Sequence, residues 1–192
     1  MQKLLFICLV FASTNGFSQG IFQRLSFGLK AGANYSNYTN ASFATEGIVG
    51  FHAGALVNFR ITDNLSVQEE FLFSSQGAKV KDSTLFGKEN LNVYYMTIPF
   101  VIKYRTNFGL YLEAGPQAGF RIKEDTGNNS FGEFANKMDL AAVGGIGYQS
   151  KSGFGIGARY VAGISKVGNF NASNIKTDFR TNVIQSSIFY IF

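Results

Sequence analysis

Apolar and polar residues alternate along most of the chain. Over 108–123 the even positions are Phe108, Leu110, Leu112, Ala114, Pro116, Ala118, Phe120 and Ile122, all apolar. The odd positions are Gly109, Tyr111, Glu113, Gly115, Gln117, Gly119, Arg121 and Lys123. A period of two puts these sets on opposite faces of an extended strand, whereas a helix would mix them. The pattern recurs over 25–36, where Leu25, Phe27, Leu29, Ala31, Ala33 and Tyr35 alternate with small or polar residues, and over 51–61. Segments 65–77, 92–103, 139–149 and 154–165 follow it less cleanly. The last, 182–192, is apolar on both faces at its end, so alternation alone leaves its phase open. Eight strands are predicted.

The connections also alternate. Thr62-Asp63-Asn64, Arg105-Thr106-Asn107 and Ser150-Lys151-Ser152 are tight-turn signals. Between them lie long polar segments at 37–48, 79–90, 124–138 and 166–181. An even number of antiparallel strands, joined alternately by short turns and long loops, is the pattern of an outer-membrane barrel. The predicted fold is all-β: an eight-stranded antiparallel transmembrane up-and-down β-barrel, whose lumen side chains just fill. A soluble barrel of this size needs an apolar interior and a wet exterior, and here the purely apolar face is the better candidate for the outside.

Aromatic positions agree with that choice. With the N-terminus on the periplasmic side, Phe59, Tyr104, Phe108, Tyr148, Phe154 and Phe192 fall at one rim. Tyr35, Phe51, Phe73, Tyr94 and Phe120 fall at the other, and Ala31, Ala55, Ala114, Ala142 and Ala158 lie between. Two girdles around a band of small residues suit a bilayer. Three residues conflict with regular pairing. Pro99 and Pro116 each lack a ladder donor, so bulges are expected there. Glu69 would face lipid, so a bulge near 68–70 or a position close to the rim is expected.

The N-terminus reads as an export signal. Lys3 precedes the apolar run 4–12, and Gly16 and Ser18 stand at −3 and −1 of a cut before Gln19. Residues 1–18 are thus expected to be a signal peptide and 19–192 the barrel domain. Cys8 sits inside the apolar run rather than after it, which argues against a lipid-anchored cysteine. It is the single cysteine of the chain, so the exported part has no thiol for disulfide, zinc or nucleophilic chemistry. Composition fits: 22 Gly, 21 Phe and only 15% charged residues among 192. Without Lys3 the net charge falls from +5 to +4, too weak to argue for nucleic acid.

Several segments then carry a family resemblance. They are 27–36 (FGLKAGANYS), 50–54 (GFHAG), 65–78 (LSVQEEFLFSSQGA), Ile98-Pro99, 110–117 (LYLEAGPQ) and 155–160 (GIGARY). Together they resemble the PorT-like outer-membrane β-barrel family common in Bacteroidetes, over essentially all of 25–192. Glu69 departs from the pattern, since the family often carries proline there. The chain also ends in Ile188, Tyr190 and Phe192 at two-residue steps, which resembles the C-terminal signal read by the barrel-assembly machinery. That resemblance would turn these three residues outward. It implies location in the cell outer membrane and contact with its lipid and lipopolysaccharide. Some family members are linked to protein secretion or gliding, which makes secretion-system proteins candidate partners.

Candidate chemistry is sparse. The inward set carries Lys30, Arg60, Glu70, Lys103, Glu113, Arg121, Asp139 and Arg159. These charges read either as a salt-bridged plug or as a selective pore or small-ligand site; the plug is favoured because only larger barrels leave an aqueous channel. Arg121 and Asp139 are placed to lie opposite each other on neighbouring strands. His52, the one histidine, could serve a lipid A-modifying enzyme through a Ser-His-Glu arrangement, but as an inward residue it reads better as a hydrogen-bonded lumen histidine. Gly144-Gly145-Ile146-Gly147 is not followed by a strand-to-helix switch, so it is no phosphate loop. Loop lysines such as Lys79, Lys81 and Lys137 either touch lipopolysaccharide phosphates or are simply solvated. No cofactor or metal-ligand spacing is present. The reading is a non-enzymatic outer-membrane barrel with partner-binding loops; the rivals are a narrow pore or secretion accessory, and a lipid A enzyme.

Overall fold

The computed structural model describes residues 23–39, 44–82, 90–125, 138–165 and 180–192. The expected export segment 1–18 lies outside them, as do parts of the loops. Eight strands follow in order: β1 (Leu25–Thr39), β2 (Ala44–Arg60), β3 (Leu65–Asp82), β4 (Asn90–Arg105), β5 (Leu110–Asp125), β6 (Met138–Gln149), β7 (Phe154–Gly163) and β8 (Arg180–Ile191). Each pairs antiparallel with its sequence neighbour, and β1 pairs with β8, which closes the barrel. Closure removes the unpaired edges that a bilayer would penalise.

One end of the barrel carries the tight turns 61–64, 106–109 and 150–153, together with the start of β1 and the end of β8. Gly109 (φ 103°) and Gly153 (φ 92°) supply the left-handed backbone that the turns 106–109 and 150–153 require. At the other end the strands run further than alternation indicates. Within segments 37–48 and 79–90, expected as long loops, residues 37–39, 44–48, 79–82 and 90 are strand, because β1 extends to Thr39, β2 starts at Ala44, β3 continues to Asp82 and β4 starts at Asn90; 40–43 and 83–89 lie outside the described residues. Backbone pairing persists there after the apolar face has ended, so hydropathy stops marking the strand before its hydrogen bonds do.

The two prolines do not form bulges. Between β3 and β4 pairing runs from Glu69↔Phe100 directly to Leu72↔Thr97, beside Pro99. Between β4 and β5 it runs from Pro99↔Gln117 to Ile102↔Ala114, beside Pro116. In both places the register resumes unchanged, so the missing donor opens a short gap in the ladder and nothing more. Glu69 likewise sits in regular pairing opposite Val57 and Phe100, without a bulge at 68–70. Register shifts among the described residues fall elsewhere, between Tyr94 and Tyr95 against β5 and, against β3, between Ala44 and Thr45 and between Gly47 and His52.

The apolar face points outward. Leu29, Leu112 and Ile188 are each more than half exposed, and Ile102, Ile146, Ile156 and Ile184 share that face. So large a continuous apolar surface marks a lipid contact. Exposed Tyr104, Phe108, Tyr148, Phe154, Tyr190 and Phe192 ring the turn end. At the opposite end Phe73 packs between Phe51 and Tyr94, with ring centroids 5.9 and 5.8 Å away. Ile188, Tyr190 and Phe192 all face out, while Phe189 between them is buried in the lumen, which fixes the phase of β8.

The interior is not purely polar, as the sequence pattern implied. Val101, Ala141, Val143, Val161 and Val183 form one buried apolar cluster, and Leu56, Tyr111 and Phe189 form another. Glycines make room for the rings: a side chain at Gly147 or Gly157 would collide with the Tyr111 hydroxyl, and one at Gly155 with the ring of Phe189. A narrow barrel thus packs bulky lumen side chains against missing ones.

Candidate functional site

The lumen charges converge in one cluster. Lys30 on β1, Glu70 on β3, Lys103 on β4, Glu113 on β5 and Arg159 on β7 are all buried. Period two is what brings them together: every one occupies an inward position of its strand, and barrel curvature aims all five at the same axis. Arg159 holds Glu70 with two parallel bonds, Nη1 to Oε2 at 2.9 Å and Nη2 to Oε1 at 2.8 Å. The same guanidinium donates to Glu113 Oε1 from Nε at 2.9 Å and from Nη2 at 2.6 Å. Lys30 Nζ donates to Glu70 at 3.0 and 3.3 Å. Gln68 Nε2 donates to Glu70 Oε1 at 2.6 Å, and Gln68 Oε1 accepts from Lys103 Nζ at 2.9 Å. Lys103 lies 4.0 Å from Glu113 Oε2 and caps the Tyr111 and Phe189 rings at 4.2 and 4.7 Å. Three cations thus share two carboxylates in a buried interior, where a paired charge is tolerated and a lone one is costly.

A second, neutral layer lies further along β1. His52 Nδ1 meets Asn34 Oδ1 at 2.7 Å and Nε2 meets Ser187 Oγ at 2.9 Å. Gln185 Nε2 also donates to Asn34 Oδ1, at 3.1 Å, so that oxygen is an acceptor and the His52 Nδ1 proton points to it. Asn34 Nδ2 in turn donates to Phe51 O, Ser74 Oγ and Ser75 O. The hydroxyl and base of a relay are therefore in contact, but the third member is an amide, and His52 is 1% exposed inside the wall. The layer ties β1, β2, β3 and β8 together across the barrel.

Three of the eight expected lumen charges stand apart from the cluster. Arg60 is exposed at the turn-end rim, where Nη2 lies 3.5 Å from Gln23 O, because it is the last residue of β2 and alternation ends with the strand. Arg121 is half-buried towards the opposite end, in register with Tyr95. Asp139 is not opposite Arg121: its cross-strand neighbour is Gly119, and its carboxylate accepts the Ser165 hydroxyl. Sequence reading missed Gln68, Asn34, Ser187 and Gln185, neutral residues whose only signal was an inward position near a charge.

Residues 11–169 match the family model described as outer membrane protein beta-barrel domain. The chain belongs to that family. Its members' location in the outer membrane is also this chain's, as the lipid-facing exterior requires. Solved outer-membrane barrels share the fold. The attachment invasion locus protein Ail of Yersinia pestis is 14% identical, covers 87% of this chain and 98% of its own, and superposes with a TM-score of 0.53. Neisserial surface protein A is 16% identical over 86% and 97%, with a TM-score of 0.57. OprG of Pseudomonas aeruginosa is 13% identical over 87% and 95%, at 0.51. No curated protein sequence matches the chain. At such identities this outer membrane protein beta-barrel shares architecture with these structures, and its lumen residues have to be read from its own geometry.

Proposed function

We propose that this protein is a sealed, non-enzymatic outer-membrane barrel: a rigid membrane-spanning support that offers its loops to partners. The observation that carries the reading is the buried cluster of Lys30, Glu70, Lys103, Glu113 and Arg159, which links five strands across the lumen. An eight-stranded lumen is narrow, and a bidentate arginine at its centre occupies the space an ion would need. The test is single-channel recording in planar bilayers, where the sealed lumen gives no steady current and a stable conductance refutes it.

Lipid A modification would need the His52–Ser187 pair to reach an acyl ester, and both residues are buried behind the strand backbone. A narrow pore, or an accessory role in secretion of the PorT-like kind, would need an open lumen or a partner surface on the loops. The outward Ile188, Tyr190 and Phe192 support recognition of β8 by the barrel-assembly machinery, since all three are free to be read before the barrel inserts.

A further inference from the structure

We propose that the turn-end rim is a docking collar for the anionic headgroups of glycerophospholipids in the periplasmic leaflet. Four cations stand there, Arg24 before β1, Arg60 at the end of β2, Arg105 at the end of β4 and Lys151 in the β6–β7 turn, against one acidic side chain, Asp63, and the terminal carboxylate of Phe192. Arg24, Arg60 and Lys151 are exposed and Arg105 is partly so. Among the described residues none of the four is ion-paired. Arg24 Nη1 and Arg60 Nη2 reach only backbone carbonyls, Ile61 O at 3.2 Å and Gln23 O at 3.5 Å. This sets them apart from the lumen cations, each of which has a carboxylate in reach. At the opposite end of the barrel the joining segments carry lysine and arginine in near balance with aspartate and glutamate, so the positive excess is confined to one rim.

The depth of the collar selects the partner. Phe59 directly precedes Arg60, Tyr104 directly precedes Arg105, and Lys151 lies between Tyr148 and Phe154. Those rings form the aromatic girdle that sits at the lipid–water interface. A cation one to three residues beyond it reaches the level of the lipid phosphates, where each adds attraction for an anionic surface. Arg60 and Arg105 have inward parity and also line the lumen mouth at this rim with Asn58, Ser66 and Gln149. Arg24 and Arg60 also line a cleft of about 550 Å³ with Gln23, Ile61, Thr62 and Asp63, open at the rim and large enough to admit a headgroup. Two guanidiniums facing one acid leave that cleft net positive. Short periplasmic turns are the general orientation of such barrels, which assigns this rim to the inner leaflet.

The test is spin-label lipid selectivity of the full chain reconstituted in phosphatidylcholine with a labelled trace of phosphatidylglycerol or of phosphatidylcholine. The wild type is expected to hold phosphatidylglycerol several-fold over phosphatidylcholine in its motionally restricted shell, with the preference falling in molar salt. The variant R24Q/R60Q/R105Q/K151Q is expected to lose the preference while keeping the heat-shifted gel migration of a folded barrel. If the quadruple variant does not fold, R105Q/K151Q, which removes no side-chain hydrogen bond described for the rim, is expected to lower the preference measurably. Equal affinity of the wild type for both lipids, or a preference that survives in a folded variant, overturns the proposal. Salt-sensitive sedimentation of the wild type with purified peptidoglycan, without lipid selectivity, overturns it in favour of a glycan partner.

Discussion

Arg159 on β7 grips Glu70 on β3 across the barrel, with two parallel hydrogen bonds of 2.9 and 2.8 Å. Those strands are not neighbours in the sheet, so this contact and the one from Arg159 to Glu113 act as struts across the lumen rather than along its wall. A planar fork matched to a carboxylate gives the strut its geometry, which an ammonium would not.

Replacing Arg159 with Met takes four hydrogen bonds from two buried carboxylates and leaves Glu113 with only Lys103, 4.0 Å away. The folded barrel is expected to lose about 3–5 kcal/mol, the range for breaking a buried ion pair from one side. Arg159→Lys should recover part of that, because charge returns without the fork. The chain has no Trp, so urea titration read by the gel shift between unboiled and boiled sample is the practical measurement. A wild-type midpoint for Arg159→Met would remove the strut from the stability of the fold.

The same residues control the lumen. Wild-type protein is expected to give no steady current in a planar bilayer, and the double replacement R159A/E70A to give discrete channel steps. Removing the two side chains takes away the fork and its acceptor together and leaves Lys30 without its Glu70 partner, so heat-shifted gel migration is needed first to show that the variant folds. Silence from a folded double variant would place the seal elsewhere, in the valine cluster around Val101 and Val161.

His52→Ala removes one ring, strands Ser187 Oγ and leaves Asn34 Oδ1 with Gln185 Nε2 as its remaining donor. A loss of about 1–3 kcal/mol is expected from buried groups left without a partner. Lipid A from cells carrying this variant should have the same mass as from wild-type cells. An acyl-chain difference between the two would restore the enzymatic reading.

Gly155 lies under the Phe189 ring, and any side chain there meets it. Gly155→Val is expected to destabilise by about 1–3 kcal/mol, the usual cost of overpacking. Phe189→Leu should cost less in the Gly155→Val background than alone, because each change relieves the other. A double-mutant cycle by the same gel titration checks this, and strict additivity would show that the two sites do not touch.

Much of the fold was legible because a barrel wall obeys a local rule. Each residue faces lipid or lumen according to its parity, so alternation over 108–123 predicted the orientation of β5 without knowledge of its neighbours. The rule failed where parity stopped being expressed in side-chain polarity. Val93, Val101, Val143 and Val161 face inward and look no different from outward valines, so the apolar lumen clusters were invisible. Strand ends past the membrane band were read as loops for the same reason.

The sequence by itself determined that this chain builds an eight-stranded barrel with an apolar aromatic exterior, and it named the charges that point inside. It could not determine which of them meet. Lys30, Glu70, Lys103, Glu113 and Arg159 lie on five strands separated by up to 129 positions, and only the register of each pair and the closure of β1 on β8 set them at one height. Arg60 and Asp139 share the parity of that cluster but not its level along the axis. Parity is a property of the local backbone, whereas height is a property of the closed sheet.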